Sequence, residues 1–416
     1  MLEFKEMNFK PIRLILVFSI IFSMAILAWG EDRSLTLPLG PKPYRGKLIN
    51  IKAGQLYSAR SGKAVAFERM IKEMARARFV YLGETHDDLE MHDWQYKIIR
   101  ALYENEASLA IGLEQVTVDL QPVLDSWVSG ELDEETFLKR LSWYLTWNFN
   151  YGYYKKIFDF AREKKIPVFA LNVPRNLINK VRLQGYEALS EEEKNLIPAL
   201  DLKNEEHRLL IKTIFESEEI SPQMKGNNLE AMFEALYRAQ VAWDETMARN
   251  AVRAVESTGK KIVILAGSGH LLYSLGINLR VARLRPQPST TVVGLQVPEG
   301  TGLQVSRGLA DYIYGVQEKI YPYYPAIGLS LKKVEGLENL VVSSGPNEPL
   351  AASAGFQKGD VIISVENKYF TNLQDLRMFL SGFNWGSELS VKVLRNGEVV
   401  NLLLKLDPQV IIKKNK

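Results

Sequence analysis

The chain predicts an α/β architecture, a parallel sheet flanked by helices with a helical cap, followed by a smaller β-rich domain. Three observations carry this. From about residue 46, short strand-like apolar runs alternate with longer helical ones, the signature of parallel strands joined by crossovers. Those runs are apolar at consecutive positions, as strands covered on both faces must be. After about residue 326 the pattern changes to alternating strands broken by Gly and Asn-Gly turns, which describes a different kind of sheet. A length of 416 residues, 46% apolar and 24% charged, suits two folded domains.

Residues 1–30 stand apart. Lys5, Lys10 and Arg13 precede an unbroken apolar run from Leu14 to Leu27, and Ala28-Trp29-Gly30 follows with small residues at the positions a signal peptidase reads. The run is shorter than the roughly twenty residues of a spanning helix. A secretory signal cleaved after Gly30 is therefore expected, with the mature chain in the periplasm or outside the cell. The chain has no cysteine, so disulfides, thiolate metal sites and a lipobox cysteine are excluded. A net charge of +3 over 416 residues gives no electrostatic case for nucleic acid.

The first domain is expected over 40–305, a linker over 306–325 and the second domain over 326–408. Strands are predicted at Phe79 to Leu82, Leu109 to Leu113, Pro167 to Leu171, Lys261 to Ala266 and Thr291 to Val297. A helix follows from Asp88 to Tyr103, and the charged block from Ser190 to Asn250 forms the cap. In the second domain Asn396-Gly397 joins Leu389 to Leu394 to Val399 to Leu404 as a hairpin.

In a parallel sheet, ligands gather beyond the carboxyl ends of the strands. The first four strands end in Gly83-Glu84-Thr85-His86, in Glu114-Gln115, in Asn172 and Arg175, and in Gly267-Ser268-Gly269-His270. His86 and His270 are two of only four histidines in the chain, and both occupy Gly-x-x-His elements directly after buried strands. Glycine lets the backbone approach a ligand closely, and imidazole ligates metals or moves protons near neutral pH. His86, Glu114 and His270 thus form a candidate set for a divalent transition metal, with Glu84 and Glu114 as candidate catalytic carboxylates. His92 lies on the helix after Asp88, as solvated helix surface or as support for the site, and His207 is assigned to the surface. Aromatic residues crowd the segment from Trp143 to Tyr154 beyond what one amphipathic helix needs. Part of it can line a flat apolar pocket such as a porphyrin requires, with Tyr144 and Tyr151 as contacts, tyrosinate being an iron ligand.

At these residues the sequence resembles the ChaN-like haem-binding uptake family of the Tiki superfamily. The resemblance runs through Leu82 to Asp87 with His92 and Gln95, through Gly112-Leu113-Glu114 and through Ile166 to Arg175. It continues in Ala239 to Ala248 and in Gly267-Ser268-Gly269-His270 with Tyr273 and Gly276-Ile277. It implies an α/β domain that binds haem or iron outside the cytoplasm and admits a homodimer around the ligand. The wider superfamily resembles metal-dependent hydrolases and proteases, with His86, Glu84, Glu114 and His270 at the matching positions. His86, His270, Asn172 and Arg175 are the rim candidates for contacts with haem. Family members are often lipoproteins, and this chain lacks the acylated cysteine.

The second domain resembles a bacterial PDZ module of exported proteases. Ala326-Ile327-Gly328-Leu329-Ser330-Leu331 matches the carboxylate-binding loop and its strand, and Ala351 to Val365 the adjoining segment. The resemblance implies capture of C-terminal or extended peptides by Ile327, Gly328, Leu329 and Leu331. Three functions are therefore open: an exported haem or iron binder with a peptide-binding module; a metal-dependent hydrolase using Glu84 as base; and a non-catalytic PDZ scaffold.

Overall fold

The structure, a computed structural model, describes residues 32–217, 229–345 and 348–414; the secretory-signal reading of residues 1–30 lies outside them. Among the described residues no helix is long and apolar enough to cross a membrane.

The strands, in chain order, are β1 (Leu48–Ile51), β2 (Leu56–Ser58), β3 (Lys63–Ala64), β4 (Phe79–Glu84), β5 (Leu109–Thr117), β6 (Val168–Asn172), β7 (Lys261–Gly267), β8 (Ser289–Val297), β9 (Leu303–Ser306) and β10 (Tyr312–Gln317). Eight of them form one sheet in the order β3-β2-β10-β8-β4-β7-β5-β6. The pairs from β10 to β6 are all parallel, whereas β2 and β3 add an antiparallel edge. All five predicted strands are present. β4 and β7 are buried along their whole length, which is why their sequences are continuously apolar rather than alternating.

Helices cover both faces. Leu89–Asn105 begins at Asp88, whose carboxylate accepts the Glu90 and Met91 backbone N–H groups as an N-cap. In the block read as a cap, helix Glu205–Ser217 packs on the 30-residue helix Leu229–Thr258, whose Met247, Ala248, Ala251 and Val255 cluster with Phe79, Tyr81 and Ile264 on one face of the sheet. The first domain extends past its expected end at residue 305. β10 falls inside the segment read as a linker, yet it pairs with β8 and β2. Tyr312, Ile313, Tyr314 and Val316 are buried in the two clusters of side chains on either face of the sheet. Its apolar residues are consecutive and buried, as in a strand covered on both faces, and its place in an aromatic segment after a Pro/Gly-rich stretch obscured it.

The C-terminal domain has β11 (Leu331–Lys333), β12 (Leu340–Val342), β13 (Val361–Val365), β14 (Glu388–Arg395) and β15 (Glu398–Lys405) in that order across one antiparallel sheet. Helix Leu373–Leu380 covers one face. The β14–β15 hairpin turns on Asn396 and Gly397, both at positive φ (53° and 85°), the conformation a two-residue turn requires.

The two domains touch. Helix Leu373–Leu380 sits against the short helix Trp143–Thr146 of the first domain, and Arg377 Nη1 donates to the Tyr144 carbonyl at 2.8 Å.

Candidate functional site

The order β4-β7-β5 places Glu84, Gly267 and Glu114 side by side, since Glu84 is in register with Gly267 on β7. A side chain at 267 has no room. A Cβ there would lie 2.9 Å from His86 Cε1 and 3.1 Å from its Nε2. Glycine at this point lets the His86 ring fold back over the end of β7.

Glu84 is the centre of the first group. Its side chain is buried and takes the His86 Nδ1 at 2.9 Å, Tyr154 OH at 2.7 Å, Gln95 Nε2 at 2.7 Å and Gln115 Nε2 at 3.2 Å, with His92 Nδ1 at 3.2 Å. Burial opposes its charge, but His92, His86 and Tyr154 overcome that and bring its pKa down to about 2. A carboxylate holding Nδ1 fixes the orientation of His86 and leaves Nε2 on the side of Gly267. His92, read as solvated surface or support, is buried support: its Nε2 lies 3.1 Å from the His86 carbonyl oxygen. The His86 ring is flanked by Trp147, with centroids 4.7 Å apart, and by Phe149 at 5.2 Å. Both aromatic rings are only half-buried.

The second group surrounds His270. Its Nδ1 lies 2.6 Å from Asp244 Oδ1 and its Nε2 3.4 Å from Glu114 Oε1, while the Gln240 amide is 2.8 Å from Nδ1. Glu114 is anchored through Oε2, which accepts the Gly267 N–H at 2.7 Å. Burial disfavours a charged ring, yet the flanking Glu114 and Asp244 push the His270 pKa up to about 10. Asp244 also lies 3.3 Å from His207 Nε2 and 3.7 Å from Arg280 Nη1. His207 is therefore not a surface residue: it has no exposed area. It shares a helix face with Leu210 and Ile211, at the i+3 and i+4 spacing that marks a buried stripe, and that spacing was the available signal. Asp244 and Gln240 lie in the Ala239 to Ala248 block that carries the resemblance but are not among the expected site residues, because Asp244 meets His270 only across 26 positions of the chain.

The other candidates separate into near and far. Asn172 Nδ2 donates to the Glu114 carbonyl at 3.1 Å, tying β6 to β5 at the rim. Arg175 Nη2 donates to the Thr146 carbonyl at 3.2 Å and so braces the aromatic segment. Tyr144 and Tyr151 do not line the histidine group. Tyr151 packs at 5.6 Å from both Trp143 and Phe158, and the Tyr144 hydroxyl accepts the Tyr151 N–H at 3.4 Å. Burial raises both phenols above their usual range, which opposes a tyrosinate. The tyrosine that reaches the site is Tyr154, whose ring also lies 4.3 Å from that of His92. Among the described residues no three His, Asp or Glu side chains are disposed to hold a metal ion; His270, of the expected set, has a carboxylate at each ring nitrogen.

In the C-terminal domain, Leu329 and Leu331 line an apolar groove with Leu376 and Leu380 of helix Leu373–Leu380, floored by Phe356 and Val391. Gly328 turns the chain into β11 at φ 70°, and a Cβ there would lie 2.0 Å from Glu348 Cγ. Ile327 packs against the same apolar core.

Comparison with known proteins gives matches for both parts. Residues 70–281 match the model of the family described as haem-binding uptake, Tiki superfamily, ChaN, and residues 325–406 match the PDZ domain. The structure of cofacial heme binding to ChaN of Campylobacter jejuni is 21% identical, covering 63% of this chain and 98% of that one with a TM-score of 0.49. An HtrA-type protease, AlgW with a decapeptide, is 25% identical over 20% of this chain and 29% of its own, with a TM-score of 0.19. A probable periplasmic serine endoprotease, DegP-like, of Bartonella henselae is 26% identical over 137 residues. That match is 32% of this chain, which spans only 26% of that relative's length. Because the first model covers half of the chain, from the helix before β4 to the helix after His270, this protein belongs to the ChaN haem-binding uptake family of the Tiki superfamily and carries a C-terminal PDZ domain.

Proposed function

We propose that this chain is an exported haem-binding protein that handles haem or iron outside the cytoplasm, and that its PDZ domain takes peptide termini. The observation that carries the haem reading is His86. Its Nδ1 is held by Glu84 at 2.9 Å and its ring is flanked by the half-buried Trp147 and Phe149. An imidazole oriented through a carboxylate suits an iron ligand, and half-buried aromatic rings beside it suit a flat apolar macrocycle. Bound haem would supply an iron that the His86 imidazole would hold, with Trp147 and Phe149 beside the macrocycle. Glu84 holds the ring in one orientation, Gly267 leaves it room, and Arg175 braces the segment that carries Trp147. Export rests on the basic and apolar pattern of residues 1–30. The PDZ reading rests on the edge strand β11 beside an apolar groove.

Haemin titrated into the purified chain should give a saturable Soret shift that His86→Ala weakens by about tenfold or more, the size of effect usual for a lost ligand or its support. A spectrum equal to that of free haemin, or one that His86→Ala leaves unchanged, sinks this reading.

A further inference from the structure

We infer that the peptide groove of the PDZ domain and the His86 site are coupled, so that a peptide terminus in the groove regulates ligand binding beside His86. The inference rests on the proposed peptide and haem readings, and adds the connection between them.

Helix Leu373–Leu380 has two working faces. Leu376 and Leu380 form one wall of the groove opposite Leu329 and Leu331, and Leu376 is 2% exposed, so the wall is already closed against its neighbours. β11 is an edge strand of its sheet. A peptide added to that edge must enter between β11 and the helix, and the helix has to yield or transmit the displacement.

The opposite face of the same helix is fastened to the first domain. Gln374 Nε2 donates to the Lys139 carbonyl at 2.9 Å, Arg377 Nη1 to the Tyr144 carbonyl at 2.8 Å, and Asn150 Nδ2 to the Ser381 carbonyl at 2.9 Å. Met378 packs against the first domain's aromatic core. These bonds end on main-chain or side-chain atoms of a single segment, 139–150. A second contact reaches the adjoining turn: the Tyr153 hydroxyl accepts the Tyr324 N–H at 3.2 Å, and the Tyr324 side chain occupies the space beside Gly152, where a Cβ would lie 2.2 Å from its hydroxyl.

The far side of that segment is the wall of the histidine site. Trp147 and Phe149 flank His86, and Tyr154 donates to Glu84 at 2.7 Å. Ser142 and Asn148, at φ 51° and 70°, bracket the short helix between the two faces. Left-handed non-glycine residues at both ends make it a compact unit whose displacement is passed on at its hinges rather than absorbed along a regular helix. One short segment thus touches the groove helix on one side and the His86 ring on the other, which is the physical connection a coupling needs.

The test uses the full chain with labelled histidine rings, of which there are four, and an array of free-acid decapeptides with apolar last residues. On adding the tightest binder, the His86 and His92 ring signals should shift while the remote His207 signal shifts least. Haemin affinity should change by about fivefold or more, the lower edge of ordinary coupling. Arg377→Ala, and separately Gln374→Ala, should keep peptide binding and lose the histidine shifts. Peptide binding without His86 or His92 shifts overturns the proposal, as do shifts that both variants retain, or the absence of any binding peptide. The ring signals need no haemin, so a chain that fails to bind haemin refutes the haem reading while the coupling is still read.

Discussion

Glu84 and His270 solve the same problem, a charge deep in protein, in different ways. Glu84 is neutralised by donors arriving from four separate elements, so each donor matters. Removing the Tyr154 hydroxyl takes away one hydrogen bond to a buried carboxylate, and Tyr154→Phe should cost about 1.5–3 kcal/mol in urea unfolding. A variant as stable as the parent would mean that the two glutamines and two histidines suffice. His270 holds its proton between Glu114 and Asp244, with a pKa raised from 6.5 to about 10. The folded state therefore binds that proton more tightly than the unfolded state. Its contribution is complete below about pH 6.5 and is lost as pH rises through about 10. Stability measured between about pH 7 and 9 should fall with pH, and His270→Gln should flatten the fall. An unchanged slope in that variant would show that other groups set it. His207, assigned to the surface from the sequence, is buried and contacts Asp244 of the His270 group.

At the scale of elements, the site depends on three neighbouring strands ending at the same height. The apolar runs of β4, β5 and β7 make each a buried strand, and the Gly-x-x-His elements then release the chain toward the ligand side. Gly267 is the tightest of these ends, because the His86 ring fills the space its side chain would take. Gly267→Ala should displace that ring and cost about 1–3 kcal/mol, as overpacking usually does. It should also weaken haemin binding, read by the Soret titration. A variant with normal stability and affinity would place the His86 ring elsewhere. The long helix Leu229–Thr258 contributes in a different way: one turn of it carries Gln240 and Asp244 to His270, fixing the ring from the side that the strands leave open.

For the whole molecule, the PDZ domain is joined to the first domain by side chain to backbone bonds as well as by the chain. Its groove has an open strand edge and a glycine turn at the end where a carboxylate would sit. A free-acid peptide should therefore bind the full chain at least about tenfold more tightly than its amidated form, the ratio that about 1.5 kcal/mol of a lost charged hydrogen bond gives. Equal binding of the two forms, measured by fluorescence anisotropy, would show that the loop does not hold termini.

What the sequence determined alone was local or periodic. The buried strands, the helix start near Asp88, the Asn396-Gly397 hairpin and the two Gly-x-x-His elements each declare themselves within a few residues, because backbone propensity and burial act at that range. The order of the strands, the burial of His207, the choice of Tyr154 over Tyr144 and Tyr151, and the arrival of Asp244 at His270 were decided by tertiary structure. In each of those cases the deciding contact joins residues far apart in the chain, His270 and Asp244 by 26 positions and Tyr154 and Glu84 by 70. Desolvation and hydrogen bonding act on whichever groups the packed fold brings together, and no local pattern records that meeting.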